Sequence, residues 1–158
     1  MDANHNIDEF FMRAAISEAM QALEKEEVPV GAVVVGGGRI LGRGHNLVET
    51  LSDSTAHAEM LALTAAMQTI TGKYLHDCTL YVTVEPCAMC AGAAAWSKIG
   101  RIVCGAADPK RGFSRYSLSI LHPKTEFVSG VLAKACSDIM SDFFRKLRDT
   151  VANNPPKL

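Results

Sequence analysis

Apolar positions recur at helical spacing through Phe11, Ala15, Ala19, Ala22 and Leu23, with Asn6 and Glu9 placed as a capping box, and they predict a helix over residues 7–25 that ends before Pro29. Val30-Gly-Ala-Val-Val-Val35 and Arg39-Ile-Leu-Gly-Arg-Gly-His45 then read as two strands joined by the turn Gly36-Gly-Gly38, a hairpin. The helix formers from His57 to Gln68, stopped by Gly72, are followed by a buried-strand run, Cys78-Thr-Leu-Tyr-Val-Thr-Val84. Another helix is expected after Pro86, a short strand at Arg101-Ile-Val-Cys-Gly105, an irregular loop from Asp108 to Thr125, and a last strand from Phe127. Leu132, Cys136, Ile139, Met140, Phe143, Leu147 and Val151 keep one face of a closing helix.

Strands interleaved with helices in this order predict an α/β domain, a three-layer α/β/α sandwich. With 158 residues, 48% of them hydrophobic, the chain is long enough for one domain over residues 1–151 that does not require a metal or disulfides merely to fold. Residues 152–158 are expected to form a flexible C-terminal tail. No apolar run approaches the roughly 20 residues of a membrane span, and the N-terminus has no signal-peptide pattern, so the expected setting is cytoplasmic with no membrane partner.

Net charge is −1, but the charges are unevenly placed. Residues 1–96 carry 5 Lys and Arg against 12 Asp and Glu, whereas residues 97–158 carry 11 against 5. A basic second half is compatible with a nucleic-acid partner on one face, and equally with two halves that intermix and cancel. Five cysteines (Cys78, Cys87, Cys90, Cys104 and Cys136) are an odd number in a chain of this size, which points to reduced or metal-bound thiols rather than a disulfide framework.

The informative residues are His57-Ala58-Glu59 and Glu85-Pro86-Cys87-Ala88-Met89-Cys90. If a helix starts at Pro86, Cys87 and Cys90 lie on one face of its first turn, where the positive end of the helix dipole favours thiolate. His57 and Glu59, two apart, reach one centre only if His57 sits at a helix entry where the backbone is not yet helical. Two sulfurs and an imidazole suit zinc, and three protein ligands leave the fourth tetrahedral position to water. Two thiolates neutralise the cation, so a nearby base is useful; Glu59 is the candidate to take a proton from water and return it to a ring nitrogen and a departing amine. Taken alone, Cys-x-x-Cys also reads as a redox motif or half of a structural zinc site, which His45, Cys78 or Cys104 would close with a fourth ligand.

His-x-Glu followed by Pro-Cys-x-x-Cys resembles the cytidine-deaminase-like zinc signature, whose mechanism is the one just described. Within that superfamily the chain closely resembles the bacterial tRNA adenosine deaminases, through Glu27-Val-Pro-Val-Gly-Ala-Val33, Gly42-x-Gly-x-Asn46, Thr55-Ala-His-Ala-Glu59, Leu80-Tyr-Val-Thr-Val-Glu-Pro-Cys87, Met89-Cys-Ala-Gly-Ala93, Gly105-Ala-x-Asp108 and Asp142-Phe-Phe-Arg145. The resemblance implies one Zn²⁺ per subunit on His57, Cys87 and Cys90, with Glu59 as proton shuttle. It further implies that Asn46 hydrogen-bonds the flipped purine, that Val30 and Ala58 line the base pocket, and that Asp108 contacts ribose or backbone. It implies a central five-stranded mixed sheet, a homodimer, and conversion of the wobble adenosine of tRNA anticodons to inosine. Small residues from Ala91 to Ala95 allow close helix approach, at a dimer interface or on the chain's own sheet.

The case for the tRNA anticodon stem-loop as partner rests on the second half. Lys110, Arg111 and Arg115 interleave with Phe113 and Tyr116, offering phosphate contacts and stacking surfaces for splayed bases, and Arg145, Lys146 and Arg148 form a second cluster. The last three also complement a helix C-terminus without any RNA. Departures from the bacterial pattern lie at Ser54, in place of proline, and at Phe113-Ser-Arg-Tyr-Ser117, where relatives continue Ala-x-Gly-Ser. Two other readings stand beside RNA editing: deamination of a free nucleobase or nucleoside such as guanine or cytosine, and a zinc-stabilised binding protein without turnover.

Overall fold

The computed structural model describes residues 2–155. Its elements are α1 (Ala3–Glu24), β1 (Gly31–Gly36), β2 (Arg39–His45), α2 (Val48–Leu51), α3 (Ala58–Ile70), β3 (Cys78–Val84), α4 (Ala88–Trp96), β4 (Arg101–Ala106), two short 3₁₀ turns, β5 (Glu126–Ser129) and α5 (Ala133–Asn153). The strands form one sheet in the order β2-β1-β3-β4-β5. β1 pairs antiparallel with β2 and β3, whereas β3–β4 and β4–β5 are parallel, so the sheet is mixed, as expected.

Both faces of this sheet are covered, which is why its inner strands β1, β3 and β4 read as nearly continuous apolar runs. Alternate residues go to opposite sides. Ala32, Val34, Leu80, Val82, Ile102 and Cys104 pack under α3 and α4, while Val33, Val35, Tyr81 and Val103 pack under α1 and α5. α3 lies almost on the backbone of β2: a Cβ at Gly44 would sit 2.3 Å from the carbonyl oxygen of Ala58, and one at Gly42 2.3 Å from that of Ala62. These two glycines set the height at which the N-terminus of α3 meets the sheet.

Several boundaries differ from the sequence reading. α1 begins at Ala3, and Asp2, not Asn6, takes the cap position. Glu9, read as half of a capping box, instead bridges His5 and Arg13 one turn to either side. α2 carries no periodic signal in its four residues and was not foreseen. α5 continues through Asn153, two residues into the segment expected to be flexible; Pro156, Lys157 and Leu158 lie outside the described residues. The apolar face of α5 packs only near its start. Cys136 is buried, Ile139, Met140 and Phe143 are half-buried, and Leu147 and Val151 are exposed.

Candidate active site

The two halves of the motif meet because each sits at the start of a helix on the same side of the sheet. His57 is the cap residue of α3, with extended backbone (φ −77°, ψ 152°), so its ring leaves the helix before the spiral begins and Glu59 follows in the first turn. Cys87 is the cap residue of α4, also extended, and Cys90 lies three residues on. The helix starts at Ala88 rather than Pro86, a shift of two residues that still leaves both thiols at its N-terminal end. Strand β3 delivers Cys87 to this point, since Glu85 follows its last residue and the Glu85 N–H donates to Ala106 O on the neighbouring strand.

Nδ1 of His57 lies 3.6 Å from Cys87 Sγ and 3.5 Å from Cys90 Sγ, and the three ligand atoms form one cluster within 4.8 Å. A tetrahedral zinc with Zn–S of about 2.3 Å and Zn–N of about 2.0–2.1 Å has an N···S edge of about 3.6 Å. The donor set and its spacing therefore fit zinc. The thiol of Cys90 holds Cys87 down to about 4 by hydrogen bonding, and His57 adds to this, while the same contact with Cys87 pushes Cys90 up. The hydrogen bond to Cys87 likewise raises His57. A divalent cation takes cysteine as thiolate, so metal binding at this pair would release protons.

None of the three residues that could have closed the site reaches it. His45 Nδ1 donates to Glu18 Oε2 at 2.9 Å, and Lys25 Nζ donates to His45 Nε2 at 3.0 Å, so both ring nitrogens are spent. Cys78 sits against Gly36, and the Cys104 thiol donates to Ser129 Oγ. Among the described residues the cluster has three protein ligands, the number that leaves a position open. Glu59 stands beside it, 4% exposed, and burial pushes its carboxyl above the ordinary value.

Around this centre the residues carried over from the family divide. Asn46 is 8% exposed at the end of the hairpin, its Oδ1 accepting from the Val48 N–H at 3.3 Å. Val30 is half-buried. Ala58 is fully buried in the core, packed with Ala62 and the strands, so it presents no surface to solvent. Asp108 spends one oxygen on its own loop, accepting from the N–H groups of Lys110 at 3.1 Å and Arg111 at 3.0 Å.

Lys110, Arg111, Arg115 and Tyr116 are all exposed on this loop. Phe113 is not: it is 0% exposed and packs edge-on against Phe127 with ring centroids 5.0 Å apart. The expectation that Phe113 offers a stacking surface is therefore corrected, because the loop tucks this ring into the core while turning its cations outward. Arg145 is exposed and pairs with Asp142 at 3.0 Å. Lys146 and Arg148 are exposed on the same helix.

Of the buried carboxylates to which the sequence assigns no role, Glu27 and Glu85 lie nearest the motif. Glu27 accepts from the N–H groups of Glu49 and Thr50 and from the Thr50 hydroxyl, fastening α2 behind Asn46. Glu85 accepts from Asp108 N–H and Ser114 N–H, each at 3.1 Å, and from the Ser114 hydroxyl. Both lie inside the motif segments, and a charged residue beside an apolar strand was the signal that could have exposed them.

Known proteins agree with this geometry. Residues 5–148 match the MafB19-like deaminase family. The chain is 48% identical over 146 residues to the tRNA-specific adenosine deaminase of Bacillus subtilis, covering 89% of this chain and 91% of the relative. A structure from a study of A-to-I editing by tRNA:A34 deaminases superposes with a TM-score of 0.76 at 37% identity, covering 82% of this chain and 98% of that one. A guanine deaminase from Bacillus subtilis superposes less closely, with a TM-score of 0.60 at 34% identity over 68% of this chain and 66% of that one. With a three-ligand His-Cys-Cys cluster, a buried glutamate beside it and a match that spans nearly its whole length, the chain belongs to the MafB19-like deaminase family.

Proposed function

We propose that the protein is a zinc-dependent hydrolytic deaminase that converts adenosine to inosine at the wobble position of tRNA anticodons, releasing ammonia. The observation that carries the reading is the tetrahedral-edge spacing of His57, Cys87 and Cys90 with Glu59 buried beside them. The near full-length identity to a tRNA-specific adenosine deaminase supports the choice of substrate.

In this reading His57, Cys87 and Cys90 hold one Zn²⁺ per subunit, which supplies Lewis acidity to make water nucleophilic at neutral pH. Glu59 accepts one proton from the attacking water and passes it to a ring nitrogen, then takes the second proton from the hydroxyl newly bonded to carbon and passes it to the amine, which leaves as ammonia. Its burial suits this task, because a carboxyl raised above its ordinary range both takes and returns a proton readily. Asn46, with its amide nitrogen outside the local turn bond, orients the purine, and Val30 borders the base. Asp108, ordered by its two backbone contacts, meets ribose or backbone. Lys110, Arg111, Arg115 and Tyr116 receive phosphates and splayed bases, and Arg145 extends this surface.

The working form is a cytoplasmic homodimer. Ala91 and Ala94 are consumed by packing on the chain's own sheet, but Gly92 faces open space and Trp96 is 85% exposed on the same helix, a surface suited to a second copy. Residues up to Val151 act as one domain. No helix among the described residues is long and apolar enough to cross a membrane.

The test is mass-spectrometric detection of inosine after incubating zinc-loaded protein with an anticodon stem-loop bearing wobble adenosine, alongside free adenosine, adenine, guanine, cytosine and cytidine. Conversion confined to the stem-loop is expected. Turnover of a free base or nucleoside with the stem-loop untouched would overturn the substrate and keep the chemistry.

A further inference from the structure

We propose that Glu85 is a positioning residue for substrate affinity, its carboxylate clamping the loop from Asp108 to Ser117 across the turn that carries Cys87. The inference rests on the RNA reading above and names a residue through which that reading would operate.

The geometry is that of a clip. Glu85 is 8% exposed and both its oxygens accept from the loop: Oε2 from Asp108 N–H, Oε1 from Ser114 N–H and hydroxyl. These partners bracket Lys110 and Arg111, so the cationic segment is held at both ends by one side chain. Gly112 passes directly over the carboxylate, where a Cβ would lie 2.4 Å from Glu85 Cδ. The next residue adds a backbone tie, Phe113 N–H donating to Pro86 O at 2.9 Å, and Cys87 and Gly112 form an isolated bridge. Inside the clip, Asp108 orders the backbone of Lys110 and Arg111, and Arg115 Nη1 donates to Lys110 O at 3.1 Å.

A buried carboxylate is costly unless well hydrogen-bonded, and backbone N–H groups are strong partners for it. Here all three side-chain partners come from the loop and none from residues 87–90. Glu85 therefore fixes where the loop lies relative to the ligand Cys87. Loop cations held in one place lose less freedom on meeting a phosphate backbone than mobile ones, so the clip raises affinity without touching the substrate.

The experiment compares Glu85→Gln and Ser114→Ala with wild type as zinc-loaded full chains, alone and combined with Lys110→Ala/Arg111→Ala. It measures zinc content, kcat and KM on the wobble-adenosine stem-loop, and hydrogen exchange of the loop amides without RNA. Expected are unchanged zinc, kcat within about twofold, KM raised about tenfold by Glu85→Gln and about threefold by Ser114→Ala, and a further rise of less than about twofold in the charge-deleted background. Loop amides should exchange at least about ten times faster in Glu85→Gln. Wild-type KM in both variants, an undiminished KM effect in the charge-deleted background, or zinc loss in Glu85→Gln would overturn the proposal. If wild type leaves the stem-loop unconverted, the substrate reading fails. The exchange data then decide the clamp separately, unaltered protection overturning it.

Discussion

Cys90 Sγ lies 3.5 Å from His57 Nδ1 although 33 positions separate them in the chain, because both residues occupy the N-terminal end of a helix and the two helices start side by side above the sheet. Strand β3 brings one helix start to this point and the close approach of α3 to Gly44 brings the other. In the proposed mechanism this contact divides the labour of the site: the sulfurs and the imidazole would hold the metal, and Glu59, buried two residues after His57, would move the proton.

That division predicts different losses from two substitutions. Glu59→Ala should retain zinc and fold while kcat falls by about 10³-fold or more, in line with the loss of a general acid–base. Cys90→Ser should lower zinc content and thermal stability together. Elemental analysis and single-turnover kinetics on both proteins check this; substantial residual turnover in Glu59→Ala would remove it from the mechanism.

Lys110 and Arg111 project from a loop fixed at both ends, so their charge acts from a defined place. Replacing both by glutamate should weaken stem-loop binding and flatten its salt dependence, reducing the log–log slope by about 1.4 if each meets one single-stranded phosphate. Titrations at several salt concentrations decide it. An unchanged slope takes the loop out of the interface.

Phe113 and Tyr116 sit three residues apart with opposite duties. Phe113→Ala opens a cavity beside Phe127 and should cost about 3–5 kcal/mol, read as a shift in the urea midpoint. Tyr116→Ala, at an exposed position, should change stability by less than about 0.5 kcal/mol and weaken RNA binding by about 1–3 kcal/mol if a base stacks there. Equal stability losses in the two variants would contradict the packing described.

Asp8 is expected to contribute to the loss of stability in acid. Burial raises its carboxyl, but the bidentate Arg101 guanidinium and the Tyr81 hydroxyl outweigh burial and leave it below its ordinary 3.8. A depressed carboxyl contributes stability above its unfolded value and loses that contribution as pH falls through the folded one. Wild type should therefore lose stability below about pH 4 more steeply than Asp8→Asn. Arg101→Met, which strands the buried charge, should cost about 3 kcal/mol at pH 7. Urea midpoints at pH 7 and pH 3 test both; parallel pH profiles for wild type and Asp8→Asn would remove Asp8 from the acid transition.

Much of the fold was legible because local rules write it into the chain. The run from Cys78 to Val84 and the hairpin around Gly37 and Gly38 have the composition and turn residues of strands, and they are strands. The demand that His57 precede its helix followed from the spacing to Glu59 alone, and His57 is the cap. Less legible were features whose partners lie far along the chain. The capping box at Asn6 and Glu9 was a chance spacing within a longer helix, and the apolar stripe of α5 gave no sign that only its first turns are covered.

The sequence by itself determined the three layers, the order of the strands and the long helices, and which His and Cys residues are candidates to hold a metal, since periodicity and motif spacing are properties of neighbouring residues. Only the tertiary structure separated the buried glutamates by surroundings: Glu59 beside the His-Cys-Cys cluster, Glu18 against His45, Glu27 behind Asn46, Glu85 under the basic loop. It also sent Phe113 inward and Tyr116 outward within one short loop. Burial and hydrogen-bond partners depend on segments distant in sequence, and the free energy that selects them exists only once those segments have packed together.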